Sequence, residues 1–325
     1  MPDTPPPPPP PASDDEVEVI LDQVYASPGG SPLLADLYLP RSTPKLPPAV
    51  LFLHGGGFRI GDRRLAPDLK RFFAREGIAM ISIDYRLSGQ SVFPAAIEDL
   101  KSAIRWARAN GGRYGFDGER IGLWGSSAGG NLASLAATSG TGVFEDVTTD
   151  PVSSTVQAVV DGYGPVDFLQ EDAERDPAIK ASDDPESLAL PPNKHSADPD
   201  SLESLYLGTQ LGKDRLGAAA TNPITYAKPG LPPFLIMHGL SDAMIPSAQS
   251  ELLYDALVPN RTDVTLMMIE GLGHGFFDRS DLDDGGPRVM HVRRAANGAA
   301  TEETVEHRRV FATVLDFFRT HLQVS

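Results

Sequence analysis

From Val50 onward the chain alternates short runs of consecutive apolar residues with longer amphipathic stretches. Such runs suit strands buried on both faces. Separated by helical stretches, they predict an α/β fold with a mostly parallel central sheet and helices on both faces. Strands are predicted over Ala49–Leu53, Ala79–Ile83, Ile121–Trp124, Val156–Val160, Phe234–Met237 and Val264–Ile269. A helix over Arg64–Glu76 should stop at Gly77, a suitable C-cap. Pro94–Asn110 places Ile97, Leu100, Ile104 and Ala107 on one helical face and should end at Gly111-Gly112. Ala128–Thr138 is rich in small residues, which permit close packing on a sheet. The last helix carries Phe311, Val314, Leu315, Phe318 and Leu322 along one face.

Two stretches break the rhythm. Residues 166–228 are rich in Pro, Asp and Ser and fall between two core strands, which predicts a lid-like insertion with little regular structure in its first half. Asp278–Ala300 is rich in Asp, Gly and Arg with few apolar anchors. It is expected to be an irregular insertion near the rim of the site, since it leaves a turn at the carboxyl end of the sheet. Neither stretch has a core of its own, so residues 19–325 are expected to form a single domain. Residues 1–18 contain the run Pro5–Pro11 and then acidic residues, the composition of a disordered tail.

Composition narrows the partners. The chain has 325 residues, of which 41% are hydrophobic, enough for one large α/β domain. It has no cysteine, which excludes disulfides, thiolate metal sites and cysteine nucleophiles. A formal net charge of −16 makes nucleic acid and anionic membranes poor partners, because phosphate contacts need clustered Lys and Arg. No apolar run approaches the ~18 residues of a membrane span. The N-terminus lacks the basic start and apolar stretch of a signal peptide. The expectation from the sequence as written is a cytoplasmic protein.

The strongest chemical signal is Gly125-Ser126-Ser127-Ala128-Gly129, entered from an apolar strand and followed by a small-residue helix. A serine hydroxyl is a poor nucleophile unless it stands on a sharp turn within reach of a base. A strand-to-helix elbow with glycine on either side provides that turn. Ser127 holds the central position; Ser126 is the rival serine. Of the seven histidines, His274 lies in Gly271-Leu272-Gly273-His274-Gly275, just past the last core strand. It alone fits both a strand end and the order nucleophile, acid, base. His54 belongs to a glycine run, and His238 ends an apolar strand as a packed, hydrogen-bonded residue. His195 and His291 fall in the irregular stretches, and His307 and His321 on the last helix. Asp242 follows the strand Phe234–Met237 and would fix the tautomer of His274. Its competitor, Asp263, precedes a strand and belongs at the opposite end of the sheet. His54-Gly55-Gly56-Gly57 follows the first core strand, and its glycines let backbone amides approach a developing oxyanion. The amide of Ala128, at a helix N-terminus, is the other donor.

These elements, in this order, resemble the α/β-hydrolase esterases of the hormone-sensitive-lipase-like group, which share the His-Gly-Gly-Gly run ahead of a Gly-x-Ser-x-Gly elbow. The stretches Ser82–Leu87, Phe93–Asp99 and Trp124–Gly130 are similar to esterases that remove acetyl or feruloyl groups from xylan. The resemblance covers roughly residues 30–165 and 220–277. It implies an α/β-hydrolase fold, a triad of Ser127, Asp242 and His274, and an oxyanion hole of Gly56, Gly57 and Ala128, with Gly55 an alternative. It implies no metal and no organic cofactor. The substrate would be a small-molecule or side-chain ester of the short-chain or aryl kind, with acetyl and feruloyl esters among them. One departure is Asp242-Ala243-Met244-Ile245-Pro246, which is closer to the acid turn of serine peptidases of this fold. A serine exopeptidase and a non-catalytic hydrolase-like binding module are therefore the alternatives. The exopeptidase wants a large gating domain that this length does not hold. The binding module commonly lacks a triad member.

Overall fold

The computed structural model describes residues 16–41, 45–145, 147–148, 150–174 and 195–323. Within them eleven strands join one sheet, in the order β1-β2-β4-β3-β5-β6-β7-β8-β9-β10, with β11 also on β9. The strands are β1 (Val17–Ala26), β2 (Leu33–Pro40), β3 (Pro48–Leu53), β4 (Ala79–Ile83), β5 (Asp117–Ser126), β6 (Ala158–Gly162), β7 (Phe234–Gly239), β8 (Val264–Ile269), β9 (Arg288–Ala296), β10 (Ala299–Ala300) and β11 (Thr304–Arg308). From β4 through β8 every neighbouring pair is parallel. The additions at both edges, β1-β2 and β9–β11, are antiparallel.

The continuous apolar runs have the physical cause expected of them. Successive side chains of a strand point to opposite faces, and both faces here are covered. Leu51, Leu53, Leu123, Val159 and Ile236 join the layer holding Leu100, Ile104, Leu132, Leu135 and Leu253. Val50, Phe52, Trp124, Val160 and Leu235 join the layer holding Phe73, Phe311, Val314 and Phe318. The first layer is built on α2 (Ala95–Tyr114), α3 (Ala128–Ser139) and α7 (Ala248–Leu257), the second on α1 (Leu69–Phe72) and α8 (Val310–His321). No helix among the described residues is long and apolar enough to cross a membrane.

Several expected boundaries shift. The helix read over Arg64–Glu76 shrinks to α1 and a 3-10 turn over Ala74–Glu76, because Pro67 cannot donate within a helix and delays its start. Gly77 still caps it in the left-handed region, at φ 88°. Helix α2 runs through Gly111-Gly112 and stops at Gly115, φ 80°. A Cβ on Gly111 would press on the backbone of Phe116 and Gly118, so that glycine serves close packing and does not end the helix. The predicted tail also shortens at its inner end, since Val17 and Glu18 belong to β1. The rest of that tail, residues 1–15, lies outside the described residues.

The two stretches expected as insertions differ from each other. Residues 175–194, where little regular structure was expected, lie outside the described residues. The parts on either side carry α4 (Glu171–Glu174), α5 (Leu202–Leu207) and α6 (Arg215–Ala220). Asp278–Ala300 is irregular only in its first part, up to residue 287: Arg288–Ala296 is strand β9, paired with β8 from Ile269↔Met290 to Val264↔Ala295. Met290 and Val292 are fully buried while Arg293 and His291 face outward. An antiparallel strand with one wet face alternates in this way, and its charged half hid its apolar half. Because β9 runs antiparallel to β8, it leads away from the carboxyl end of the sheet.

Candidate active site

Strand β5 ends in a turn that holds Ser127 at φ 53°, ψ −119°. A non-glycine residue keeps such a backbone only where its surroundings over-determine it. Here the surroundings are backbone. A Cβ on Gly125 would collide with the Gly129 carbonyl, and one on Gly129 with the Leu53 carbonyl. The Ser127 amide donates to the Gly162 carbonyl of β6 at 2.8 Å, which locks the turn against the next strand. Ser126, the rival serine, is fully buried in β5.

His274, in the turn after β8, lies with Nε2 2.8 Å from Ser127 Oγ and Nδ1 2.7 Å from Asp242 Oδ2. A carboxylate at Nδ1 requires the proton there, which leaves Nε2 free to accept from the serine hydroxyl. Asp242, in the turn after β7, receives the amides of Met244 and Ile245 on Oδ1, each at 2.9 Å. Burial pushes its carboxyl pKa up. The charge of His274 and the hydrogen bonds from His238 and His274 outweigh burial and hold it well below the usual carboxylate range. Ser127, Asp242 and His274 are 3%, 3% and 1% exposed, so the row is shielded from bulk water. Asp263 stands at the other end of the sheet, its carbonyl accepting from the Phe234 amide where β7 begins.

The glycine run after β3 bends beside this row. Gly56 and Gly57 have φ 104° and 58°, and the amides of Arg59 and Ile60 return to the Gly56 carbonyl at 2.9 and 3.0 Å. His54 donates from Nδ1 to the Gly55 carbonyl at 2.7 Å and stacks on Tyr85, whose hydroxyl donates to the His54 carbonyl at 2.9 Å. Burial lowers the His54 pKa, so the ring is neutral and acts as a brace for the loop. Among the described residues no backbone carbonyl accepts from the amide of Gly57 or of Ala128. The first amides of a helix such as α3 have no partner within it. A hydroxyl that can lose its proton to a neutral imidazole, beside such amides, is equipped for nucleophilic attack on an acyl carbonyl.

Four contributors were not singled out from sequence. Tyr163, just past β6, packs its ring edge-on to His274 with centroids 4.9 Å apart. Phe58, beside the glycine run at φ 57°, stacks face to face on Tyr206 of α5 at 3.8 Å. Leu202 of α5 lies within 2.5 Å of where a Cβ on Gly57 would stand. The described part of the 166–228 stretch therefore rests directly on the glycine loop. The available signal was the spacing of Leu202 and Tyr206, one helical turn apart and preceded by a Ser201 cap. His238, expected only as a packed residue, is buried and bonded, and one of its neighbours is Asp242 at 3.2 Å. The remaining histidines lie elsewhere: His195 is exposed, His291 is on β9 and His321 on α8, while His307, expected on the last helix, is on strand β11, which ends before that helix begins.

Comparison with known proteins places the chain among relatives. Esterase LipC of Mycobacterium tuberculosis is 30% identical over 78% of this chain and 58% of its own length. The chain spans about half the length of the curated relatives it matches. Among solved structures, a truncated carbohydrate esterase from gut microbiota superimposes with a TM-score of 0.71 at 23% identity, covering 96% of this chain and 99% of that one. The thermophilic esterase Est2 of Thermogutta terrifontis gives 0.60 at 25% identity, covering 81% and 84%. The fold is that of an α/β-hydrolase. A prolyl oligopeptidase family model matches residues 202–324, which hold the acid and base turns but not the elbow. The model that matches residues 35–257 takes in most of the chain, the glycine loop, the elbow and the acid turn together, and by it the chain belongs to the BD-FAE family.

Proposed function

We propose that the chain is a serine carboxylic ester hydrolase acting on small esters through Ser127, His274 and Asp242. The observation that carries this reading is the hydrogen-bonded row of those side chains, with Ser127 on a strained elbow at the carboxyl end of the sheet. Ser127 Oγ attacks the ester carbonyl while its proton passes to His274 Nε2. The oxyanion is held by backbone amides of the glycine loop, Gly56 and Gly57, and of Ala128. His274 then protonates the leaving alcohol, and water cleaves the acyl-enzyme by the same route. Asp242 keeps the imidazole in the productive tautomer and offsets its charge. The acyl group is short-chain or aryl, with acetyl and feruloyl esters the first to try, in keeping with the carbohydrate esterase among the structural neighbours.

A second reading, a serine exopeptidase, draws on the family match over residues 202–324. The glycine loop and elbow fall outside that match, so the ester reading is preferred. Parallel assays with p-nitrophenyl acetate and an aminoacyl p-nitroanilide separate the two. Ester turnover that drops at least about a thousandfold in Ser127→Ala and persists in Ser126→Ala is the expected result. Anilide turnover above ester turnover would move the assignment to the peptidase, and no turnover of either would leave a binding module.

A further inference from the structure

Asp242 stands between two imidazoles. Its Oδ2 faces His274 Nδ1 at 2.7 Å on one side and His238 Nε2 at 3.2 Å on the other. His238, near the end of β7, is fully buried. Its Nε2 also lies 3.0 Å from the Ile245 carbonyl, and its Nδ1 is 2.7 Å from Ser250 Oγ on α7. Both neighbours of Nε2 are acceptors, so that nitrogen carries a proton. The Ser250 hydroxyl is buried, and His238 Nδ1 is the acceptor it meets. A ring donating from Nδ1 as well would leave the buried hydroxyl proton without a partner. The arrangement that satisfies every group is Ser250 O–H to Nδ1, then Nε2–H shared between the Ile245 carbonyl and Asp242. Asp161 on β6 also acts on the ring electrostatically. Its oxygens are engaged by the Ser134 hydroxyl at 2.5 Å and the Gly164 amide at 2.9 Å.

We infer that His238, oriented by Ser250, is a positioning residue for the acid of the triad: it donates to Asp242 and fixes which carboxylate oxygen His274 meets. The inference rests on the ester hydrolase reading given above. The Asp242 amide contacts fix Oδ1, but two amides on one oxygen leave the carboxylate able to tilt about its own bond. A third anchor on Oδ2, approaching from the side away from His274, removes that freedom. Orienting partners of this kind act on the reacting group only through their neighbour, and misplacement by a fraction of an ångström is felt in turnover more than in substrate binding. The donor also draws charge from the oxygen that His274 uses, so it tempers the pull of Asp242 on the imidazolium.

The test uses the full chain. His238→Phe keeps a flat aromatic ring, one ring atom larger, and removes both nitrogens, and His238→Gln restores an N–H at the reach of Nε2. In His238→Phe, kcat for p-nitrophenyl acetate should fall about tenfold or more with KM within about twofold, and the rising limb of kcat/KM against pH should move up by about half a unit. His238→Gln should recover most of kcat and return the limb. A folded His238→Phe with wild-type kcat and limb overturns the inference, as does an equal loss in Phe and Gln variants, which marks a packing role. Should His238→Phe fail to fold, nitrogen NMR of the wild-type protein decides. A pyrrole-type Nε2 and a pyridine-type Nδ1 that shifts in Ser250→Ala are expected, and a protonated Nδ1 overturns it. A fluorophosphonate probe keeps the parent reading separate: no labelling of Ser127 in the wild type removes the triad itself, whatever His238 does.

Discussion

Tyr206 offers a test in which one side chain gives opposite signs. It is 1% exposed, stacked on Phe58 at 3.8 Å with an interplanar angle of 11°, and meets Phe93 and Phe168 at ring-centroid distances of 5.7 and 6.4 Å. Its hydroxyl is buried with no hydrogen-bond partner among the described residues, and burial pushes the phenol pKa well up. An unsatisfied buried hydroxyl costs ~1–3 kcal/mol. Tyr206→Phe removes that cost and leaves the stack, so it should stabilise the protein by about 1 kcal/mol once the void left by one oxygen is allowed for. Tyr206→Ala removes the stack and should cost about 3–5 kcal/mol. It also frees Phe58, whose left-handed backbone carries ~1–3 kcal/mol of strain and is held by that ring. Released, Phe58 relaxes and takes the adjoining Gly57 amide with it. Urea midpoints give the stabilities and p-nitrophenyl acetate the kcat. Tyr206→Phe should keep kcat within about twofold, and Tyr206→Ala should lose about tenfold or more if it folds. A Phe variant less stable by more than about 1 kcal/mol would refute the reasoning, because the hydroxyl would then have a partner.

The sheet interior was legible because strands buried on both faces must be apolar at consecutive positions, and Val264–Ile269 was bounded correctly on that ground alone. The elbow and the His274 turn were legible because Gly125, Gly129 and Gly275 are required by contacts or by φ, and glycine shows in a sequence. The edges were not legible. In β1, Leu21 and Val24 face outward, and an irregularity between Ile20 and Gln23, with Asp22 at φ 58°, breaks the period of two. In β9 the outward charges masked Met290 and Val292. The contact of α5 on the glycine loop joins Leu202 to Gly57 across 145 residues, and nothing local to either position announces it. The His238 contact was hidden differently, since a histidine in an apolar strand reads the same whether it bonds a carbonyl or the catalytic acid.

Leu202→Ala should open space beside Gly57 and raise the butyrate-to-acetate ratio of kcat/KM about tenfold, or ~1.4 kcal/mol, in a p-nitrophenyl ester series; an unchanged ratio would place the acyl group elsewhere. Lys101 is fully buried against Glu145, and burial lowers its pKa from 10.5 to about 8. Between those values the unfolded chain holds the proton and the folded chain does not, so stability rises with pH there. Urea midpoints of wild type should therefore gain on Lys101→Met from pH 8 to 10.5, and parallel curves would count against the assignment. The last expectation reverses the one that the sequence suggested for Asp278–Ala300. A mouth-lining loop could be exchanged for a linker with only selectivity at stake. Here, Leu282, Met290 and Val292 are fully buried, and truncating such side chains costs ~2–5 kcal/mol for the larger ones and somewhat less for valine. Asp283 accepts from the amides of Val310 at 2.7 Å and Ala312 at 3.1 Å, capping α8 from outside the helix, and such a cap contributes ~1 kcal/mol. The partner strand β11 would also lose β9, the only strand it pairs with among the described residues. Together these losses rival the whole ~5–15 kcal/mol of a typical domain. Phe276 and Phe277, which anchor the His274 turn on Tyr163 and Trp124, would lose the layer built by Phe311 beside them. Replacing Leu282–Ala299 by a Gly-Ser linker should thus give insoluble protein or one with a sharply lowered melting temperature and no ester turnover. A soluble replacement that melts near wild type and differs only in its preference among esters would show that β9 is dispensable to the fold and that the segment acts at the rim after all.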